Sequence, residues 1–497
     1  MSGLTPSEVE RIALAVAAAM GGGTAPATVA PVKPARPASA TPPPGPAAAP
    51  APATSTDDGI YPDVNAAVAA AKAAAVAVSG LPLSRRKALI ANLRNRLMPA
   101  AEDLAKRAHA ETGLGRVEHK VLKNRLVTEK TPGPEALDPT AWTGDRGLTL
   151  VEPAPYGVLG AITPVTNPTS TIICNAIGMI SAGNAVVFNV HPSAVDCSMR
   201  TVRIINRAIV EAGGPPDLAT AASRPTVASA QELMKHPDVR LLVVTGGAGV
   251  VDAAMQSGKR AICAGPGNPP VVVDATADLA AAARDLVYGA SFDNNIICVD
   301  EKVLIVVDGV ADALIAEMRG QRARIVDAGE LPALEGAIFS ETRGPGRPGV
   351  VTKDLIGQDA EVILERAGLP ADAETRLVVA EVPADHPLVW TEQMMPVLPL
   401  VRVPDVGRAI ALAREAERGN GHSAGMHSHD IDALSRMARE MNTSIFVKNG
   451  PLISGLGAGG EGFTSFTIAS PTGEGLTGPR SFSRSRRCVM VDHFRIT

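Results

Sequence analysis

The chain has 497 residues, too many for a single hydrophobic core, so two or three domains are expected. A formal charge of -4 gives no electrostatic case for nucleic-acid binding, and no run of about 18 apolar residues is present to span a membrane. Five cysteines, Cys174, Cys197, Cys263, Cys298 and Cys488, are odd in number and lack CxxC spacing. That argues against a disulfide framework or a metal site, and for a reducing compartment.

The first stretch, residues 1–20, carries a helix signature. Thr5 caps, Pro6 takes the first position and Glu8 completes a capping box. Val9, Ile12, Val16, Ala19 and Met20 then form one apolar stripe. No basic segment precedes an apolar one, so the stretch does not read as a secretory signal. Residues 21–56 hold 10 prolines and 11 alanines with no acidic residue, a composition that cannot bury a core. A short amphipathic helix on such a tether reads as a docking peptide; an ordinary first helix of the domain is the alternative.

From Asp57 the pattern becomes globular. Helices are expected over 63–79, 83–111 and 122–131. After Tyr156 strands and helices alternate: strands at 156–163, 185–189 and 240–245, with helices from Pro168 to about Ala182, over 194–212 and 226–235, and from Gly247 through Ser257. This alternation predicts a parallel sheet with helices on both faces, a class that binds ligands at the carboxyl ends of its strands. The fingerprint GxGxxG is absent, although the glycines of TGGAG can bring backbone close to a dinucleotide. A second α/β unit follows, with strands at 270–274, 302–307, 376–382 and 444–448 and helices over 277–288, 310–318, 406–418 and 430–441. Residues 320–375 read as loop-rich. Glycines crowd 455–478, and the tail from Arg480 alternates arginine with apolar residues, as an exposed strand that pairs with another subunit would.

Within SFDNNIICVDEKVLIVV (291–307), Cys298 lies between a polar turn and an apolar β-branched run. It reads as a nucleophile at a loop-to-strand junction, or as a small buried residue.

Several segments resemble the aldehyde dehydrogenase superfamily: ITPVTNP (162–168), AGNAVVFNVHP (182–192), VVTGG (243–247), GPGNPPVVVD (265–274) and EQMMPVLPL (392–400). FDNNIICVDEK, TSIFVKNGP (443–451), GGEGFTSFTIASPTGEG (459–475) and SRRCVMVDHFRI (485–496) narrow the resemblance to the CoA-acylating enzymes of bacterial microcompartments. It implies an α/β fold with a Rossmann-like cofactor domain over 58–262 (with part of 445–475), a catalytic domain over 263–444, and an oligomerisation arm over 476–497 (with about 138–152). It makes residues 1–20 an encapsulation helix that binds shell proteins, 21–57 a disordered linker, the microcompartment lumen the location, and a homodimer or homotetramer the assembly.

The same resemblance assigns roles. Cys298 is the nucleophile, and Asn167 donates to the oxyanion together with the Cys298 backbone N–H. Thr163, Pro164 and Val165 form the first cofactor-binding turn, His191 and Pro192 the second, and Thr245, Gly246 and Gly247 the third, while Glu392 holds the nicotinamide ribose. The expected reaction converts acetaldehyde or propionaldehyde, with NAD and coenzyme A, to an acyl-CoA. Hydrolytic relatives carry a glutamate base in the segment matching AICAGPGNPP (261–270). Here no acidic residue lies between Met255 and Val273. Val165, Pro266, and the Asn189–Val190 pair depart from the family pattern, as does GNGHSAGMHS, which has one histidine where a pair is usual. A hydrolytic dehydrogenase and an inert shell-recruiting scaffold are the alternatives.

Overall fold

The structure, a computed structural model, describes residues 58–496. The proposed docking helix and its tether lie outside those residues.

Asp63 opens the first helix, Val64–Ser79, by accepting the Ala66 N–H through its carboxylate at 2.9 Å. Two more helices follow, Leu83–Thr112 and Val117–Lys130. The last begins five residues before the expected Leu122. Its apolar periodicity is weak because its buried face is largely polar: Lys120, Lys123, Asn124 and Thr128 join Val127 there.

The first sheet has six parallel strands in the order Ile60–Tyr61, Ala219–Ala222, Ala185–Asn189, Val158–Ile162, Val239–Thr245, Ala261–Ala264. Every residue of Val158–Ile162 and Ala185–Asn189 is buried. Such strands show no alternation because both faces are covered. After Val158–Ile162 the chain builds outward on one side, then returns to add Val239–Thr245 on the other. The order therefore reverses between these two strands, which leaves a crevice at their carboxyl ends.

The second sheet has seven parallel strands, ordered Ala323–Val326, Leu377–Glu381, Val397–Val403, Val303–Val307, Pro270–Val273, Ser423–His427, Ile445–Lys448. The central strand Val303–Val307 is wholly buried. Truncating Ile305 there to alanine carries the usual core cost of about 2–5 kcal/mol. Residues 320–375, expected to be loop, contain the edge strand Ala323–Val326 and the helices Leu331–Ile338 and Ala360–Arg366. These elements are short, and their patterns fall below the length at which a period can be read. The sequence GHSAGMHS, where no strand was expected, contains the buried strand Ser423–His427, whose small residues fit between two neighbours.

Thr140–Gly144, Gly147–Pro155 and Ser483–Val491 make a separate antiparallel sheet. Its last strand is mostly exposed, with Val489, Met490 and Val491 bare and Trp142 54% accessible on the neighbouring strand pair. No described helix is long and apolar enough to cross a membrane.

Candidate active site

A cavity of about 750 Å³ opens where the first sheet reverses its strand order. Three turns leave the carboxyl ends of Val158–Ile162, Ala185–Asn189 and Val239–Thr245 and line it, bringing in Thr163, Pro164, Val165 and Asn167, then His191 and Pro192, then Thr245, Gly246 and Gly247. Cys298 and Glu392 reach the same cavity from the second sheet. All the residues assigned a catalytic or cofactor-binding role from the sequence therefore line one space.

The first-sheet side is nearly uncharged. Thr226 and Ser229 form a capping box that starts helix Val227–Lys235, and Ser229 Oγ donates to Asn189 Oδ1 at 2.6 Å, tying that helix to the second turn. Val227, Ala230, Met234, Val250 and Ala253 give an apolar slot between two helices. Gly247 is the N-cap of helix Ala248–Met255, so its end presents free backbone N–H groups and a partial positive charge. Thr163 Oγ1 is buried and has no protein partner. A dinucleotide fits this set: an apolar slot for a base, a helix N-terminus for phosphate, and an orphaned hydroxyl that a ligand satisfies.

The Cys298 side is the opposite in character. Helix Leu279–Ser291 ends in the turn Phe292–Asn295, where Asp293, Asn294 and Asn295 take φ of 46°, 55° and 63°. Left-handed backbone costs of order 1 kcal/mol or more per residue, least for Asp and Asn. Each of these side chains is tied down. Asp293 accepts from the Arg116 N–H at 2.7 Å, from Lys120 Nζ at 3.2 Å and from Lys123 Nζ. Asn294 donates to Gly357 O and Asp359 Oδ1, and Asn295 to Ala290 O and Glu301 O. Gly115 permits the approach, since a Cβ there would stand 2.2 Å from Asp293 Oδ1.

The turn delivers Cys298, half-buried, to the cavity floor. Burial, with help from the nearby Glu392 carboxylate, pushes its thiol up to about 12 against an opposing pull from Lys302. Lys302 is fully buried and donates to Asn295 O at 2.7 Å and Ile297 O at 3.1 Å. Asp300 and Glu301 flank it, and burial raises both carboxyls, Glu301 to about 7. Glu392 accepts the Gly267 N–H at 3.3 Å, and burial raises its carboxyl too. Among the described residues lining the cavity, it is the sole carboxylate.

Asn167 is the N-cap of helix Pro168–Ser181 but caps nothing with its side chain. Its Oδ1 accepts Lys123 Nζ at 2.6 Å, and its Nδ2 donates to Thr166 Oγ1 at 3.1 Å. The residues that sequence reasoning missed are Lys123 and Lys302. His422 and His427, the histidines of GNGHSAGMHS, are buried at either end of one strand segment, are held neutral by burial at about 4, and line no part of the cavity. Cys174 and Cys263 are buried, and Cys488 is exposed on the outer strand.

Residues 47–464 match the model of the aldehyde dehydrogenase family. The chain is 52% identical over 440 residues to the acetaldehyde dehydrogenase (acetylating) EutE of Escherichia coli, covering 88% of this chain and 93% of that one. Among solved structures it is similar to the Rhodopseudomonas palustris propionaldehyde dehydrogenase with bound CoA and an acylated cysteine, at a TM-score of 0.85 and 46% identity, covering 88% of this chain and 98% of the other. It is similar as well to a propionaldehyde dehydrogenase from the Clostridium phytofermentans fucose utilisation bacterial microcompartment, at a TM-score of 0.86 and 44% identity, with 88% and 100% covered. The chain belongs to the aldehyde dehydrogenase family.

Proposed function

We propose that the protein oxidises a short-chain aldehyde, acetaldehyde or propionaldehyde, to its acyl-CoA, with NAD as hydride acceptor and coenzyme A as the acyl acceptor. The observation that carries this reading is a missing base in the segment 261–269. The stretch Ala261–Pro269 passes the cavity through Gly265 and Pro266 and offers no carboxylate. Glu392, the sole carboxylate among the described residues lining the cavity, accepts the Gly267 N–H and is assigned to the nicotinamide ribose. That leaves no base to activate water on the thioester, and a thiol nucleophile wins.

Each step falls to named groups. The Cys298 S–H gives its proton to solvent, the thiolate attacks the aldehyde carbon, a C–S bond forms, and the carbonyl electrons move onto oxygen. Asn167 Nδ2 and the Cys298 N–H, which has no backbone acceptor among the described residues, donate to that oxygen. Thr163, Pro164, Val165, His191, Pro192, Thr245, Gly246 and Gly247 hold NAD, with Glu392 on the nicotinamide ribose. Bound there, NAD would supply the acceptor for the hydride that leaves the former aldehyde carbon. The acyl group is left on Cys298 as a thioester. Coenzyme A sulfur then attacks the acyl carbon, and Cys298 leaves as thiolate.

The remaining assignments are part of the same proposal. Residues 1–20 bind the shell of a microcompartment and place the enzyme in its lumen, on the tether 21–57. The six-stranded sheet serves as the cofactor unit and the seven-stranded sheet as the catalytic one. The bare face of the antiparallel sheet, with Trp142 and Val489, supports a homo-oligomer formed through it.

Intact-mass spectrometry tests the covalent step. After aldehyde and NAD without coenzyme A, the expected product is protein carrying one acyl group, absent in Cys298→Ala and discharged by coenzyme A. Free acid accumulating with no adduct supports the hydrolytic reading instead. Deleting residues 1–20 is expected to keep activity and lose co-purification with shells; loss of soluble activity would count against that assignment.

A further inference from the structure

Between the second and third helices and the Cys298 turn lies a group of buried charges that the reaction above does not use. Lys120 and Lys123 project from one face of helix Val117–Lys130 and are 3% and 2% exposed. Both donate to Asp293, which is fully buried. Lys123 makes one more contact, to Asn167 Oδ1 at 2.6 Å. Burying an ammonium costs several kcal/mol even when it is paired, so this placement is costly as a purely structural device.

We propose that Lys123, held by Asp293, is the positioning residue that sets the orientation of the oxyanion donor Asn167. The proposal rests on the reading of Asn167 given above. A lysine ammonium has three donors and no acceptor, so the Asn167 atom that meets it is the carbonyl oxygen. The amide nitrogen is then fixed on the other side. One of its hydrogens goes to Thr166 Oγ1, and the other has no protein acceptor among the described residues. Asn167 and Cys298 line the same cavity. A rotated amide would instead present a carbonyl to the developing oxyanion, which repels it. The ammonium also draws electron density toward Oδ1, which strengthens the N–H as a donor.

Asp293 is the fixed point of the arrangement. The Arg116 N–H and Lys120 hold its carboxylate independently of Lys123, and its own N–H donates to His119 Nδ1 at 2.8 Å. The His119 ring stacks on Phe292 with centroids 4.4 Å apart. The turn that carries Cys298 thus also carries the anchor for the group that stabilises its adduct. Donor and nucleophile keep one relative position.

The test is a double-substitution cycle on the full-length enzyme, read as kcat for NADH formation with saturating aldehyde, NAD and coenzyme A. Lys123→Met is expected to lower kcat about tenfold to a hundredfold, below the loss typical of deleting an oxyanion donor outright, with KM for NAD unchanged. In an Asn167→Ala background the same substitution is expected to cost less than about threefold, because its target is gone. Lys123→Gln, whose amide still donates to Oδ1, is expected to recover most of the loss. An equal loss in both backgrounds would overturn the proposal, as would full activity of Lys123→Met. Full activity of Asn167→Ala would overturn both this proposal and the oxyanion role itself. Should Lys123→Met not yield folded protein, the cycle is read with Asp293→Asn, with the same opposed outcomes.

Discussion

On one side of the cavity the turns after Ile162, Asn189 and Thr245 present backbone, short side chains and apolar surface. On the other, the segment from Asp293 to Lys302 carries Asp293, Asp300, Glu301 and Lys302 in the interior, on a turn of left-handed residues. The first side binds by shape and by groups left open for a ligand, so its own folding asks little of them. The second side places one sulfur, and it does so with charges that stabilise the fold only while they stay paired. Substitutions should therefore act on binding at the first side and on folding or chemistry at the second.

The largest effect is expected from Cys298→Ala, which removes the nucleophile and should bring NADH formation to background while the melting temperature stays close to that of the parent. Lys302→Met comes next. It strips the ammonium from the buried Asn295 O and Ile297 O and leaves those carbonyls without that donor. Denaturant unfolding should show a loss of about 2–4 kcal/mol, the cost of leaving two buried acceptors unsatisfied. A change within about 0.5 kcal/mol would mean that the two walls do not differ as described.

The thiol itself offers an intermediate effect. Because its folded value is raised to about 12, the neutral form dominates at neutral pH and the thiolate fraction grows tenfold per unit well beyond the ordinary thiol range. Alkylation of Cys298 in the ligand-free enzyme, followed by peptide mass, should rise about a hundredfold from pH 7 to 9 and continue rising to pH 10. A midpoint near pH 8.5, with the rate levelling off by about pH 10, would show a thiol that burial does not perturb. The smallest effect is expected on the uncharged wall. Thr163→Val removes a buried hydroxyl that has no protein partner. Stability should stay within about 0.5 kcal/mol, while KM for NAD rises about fivefold, the worth of one hydrogen bond.

The same contrast governs what the sequence made legible. Strands such as Ala185–Asn189 and Val303–Val307 are continuous apolar runs, and the glycines and prolines that end them mark the turns of the uncharged wall. Those residues could be assigned to one site from their local pattern and the family resemblance. Lys123 could not, because its meaning depends on Asp293, 170 positions away. The one local signal was the spacing of Lys120 and Lys123, which share a helix face. Starting the helix at Leu122 rather than Val117 hid it. Strand Val397–Val403 was missed inside a motif valued for Glu392, and Ser423–His427 because glycine, serine and histidine rarely mark a strand. Both become strands because neighbours on each side supply their hydrogen bonds.

The central claim is that Cys298 holds an acyl group which coenzyme A, and not water, removes. NADH formation from propionaldehyde and NAD, followed with and without coenzyme A, tests it most directly. The account predicts sustained turnover only with coenzyme A, and without it a burst limited to about one NADH per active site. Sustained turnover to free acid in the absence of coenzyme A would contradict it.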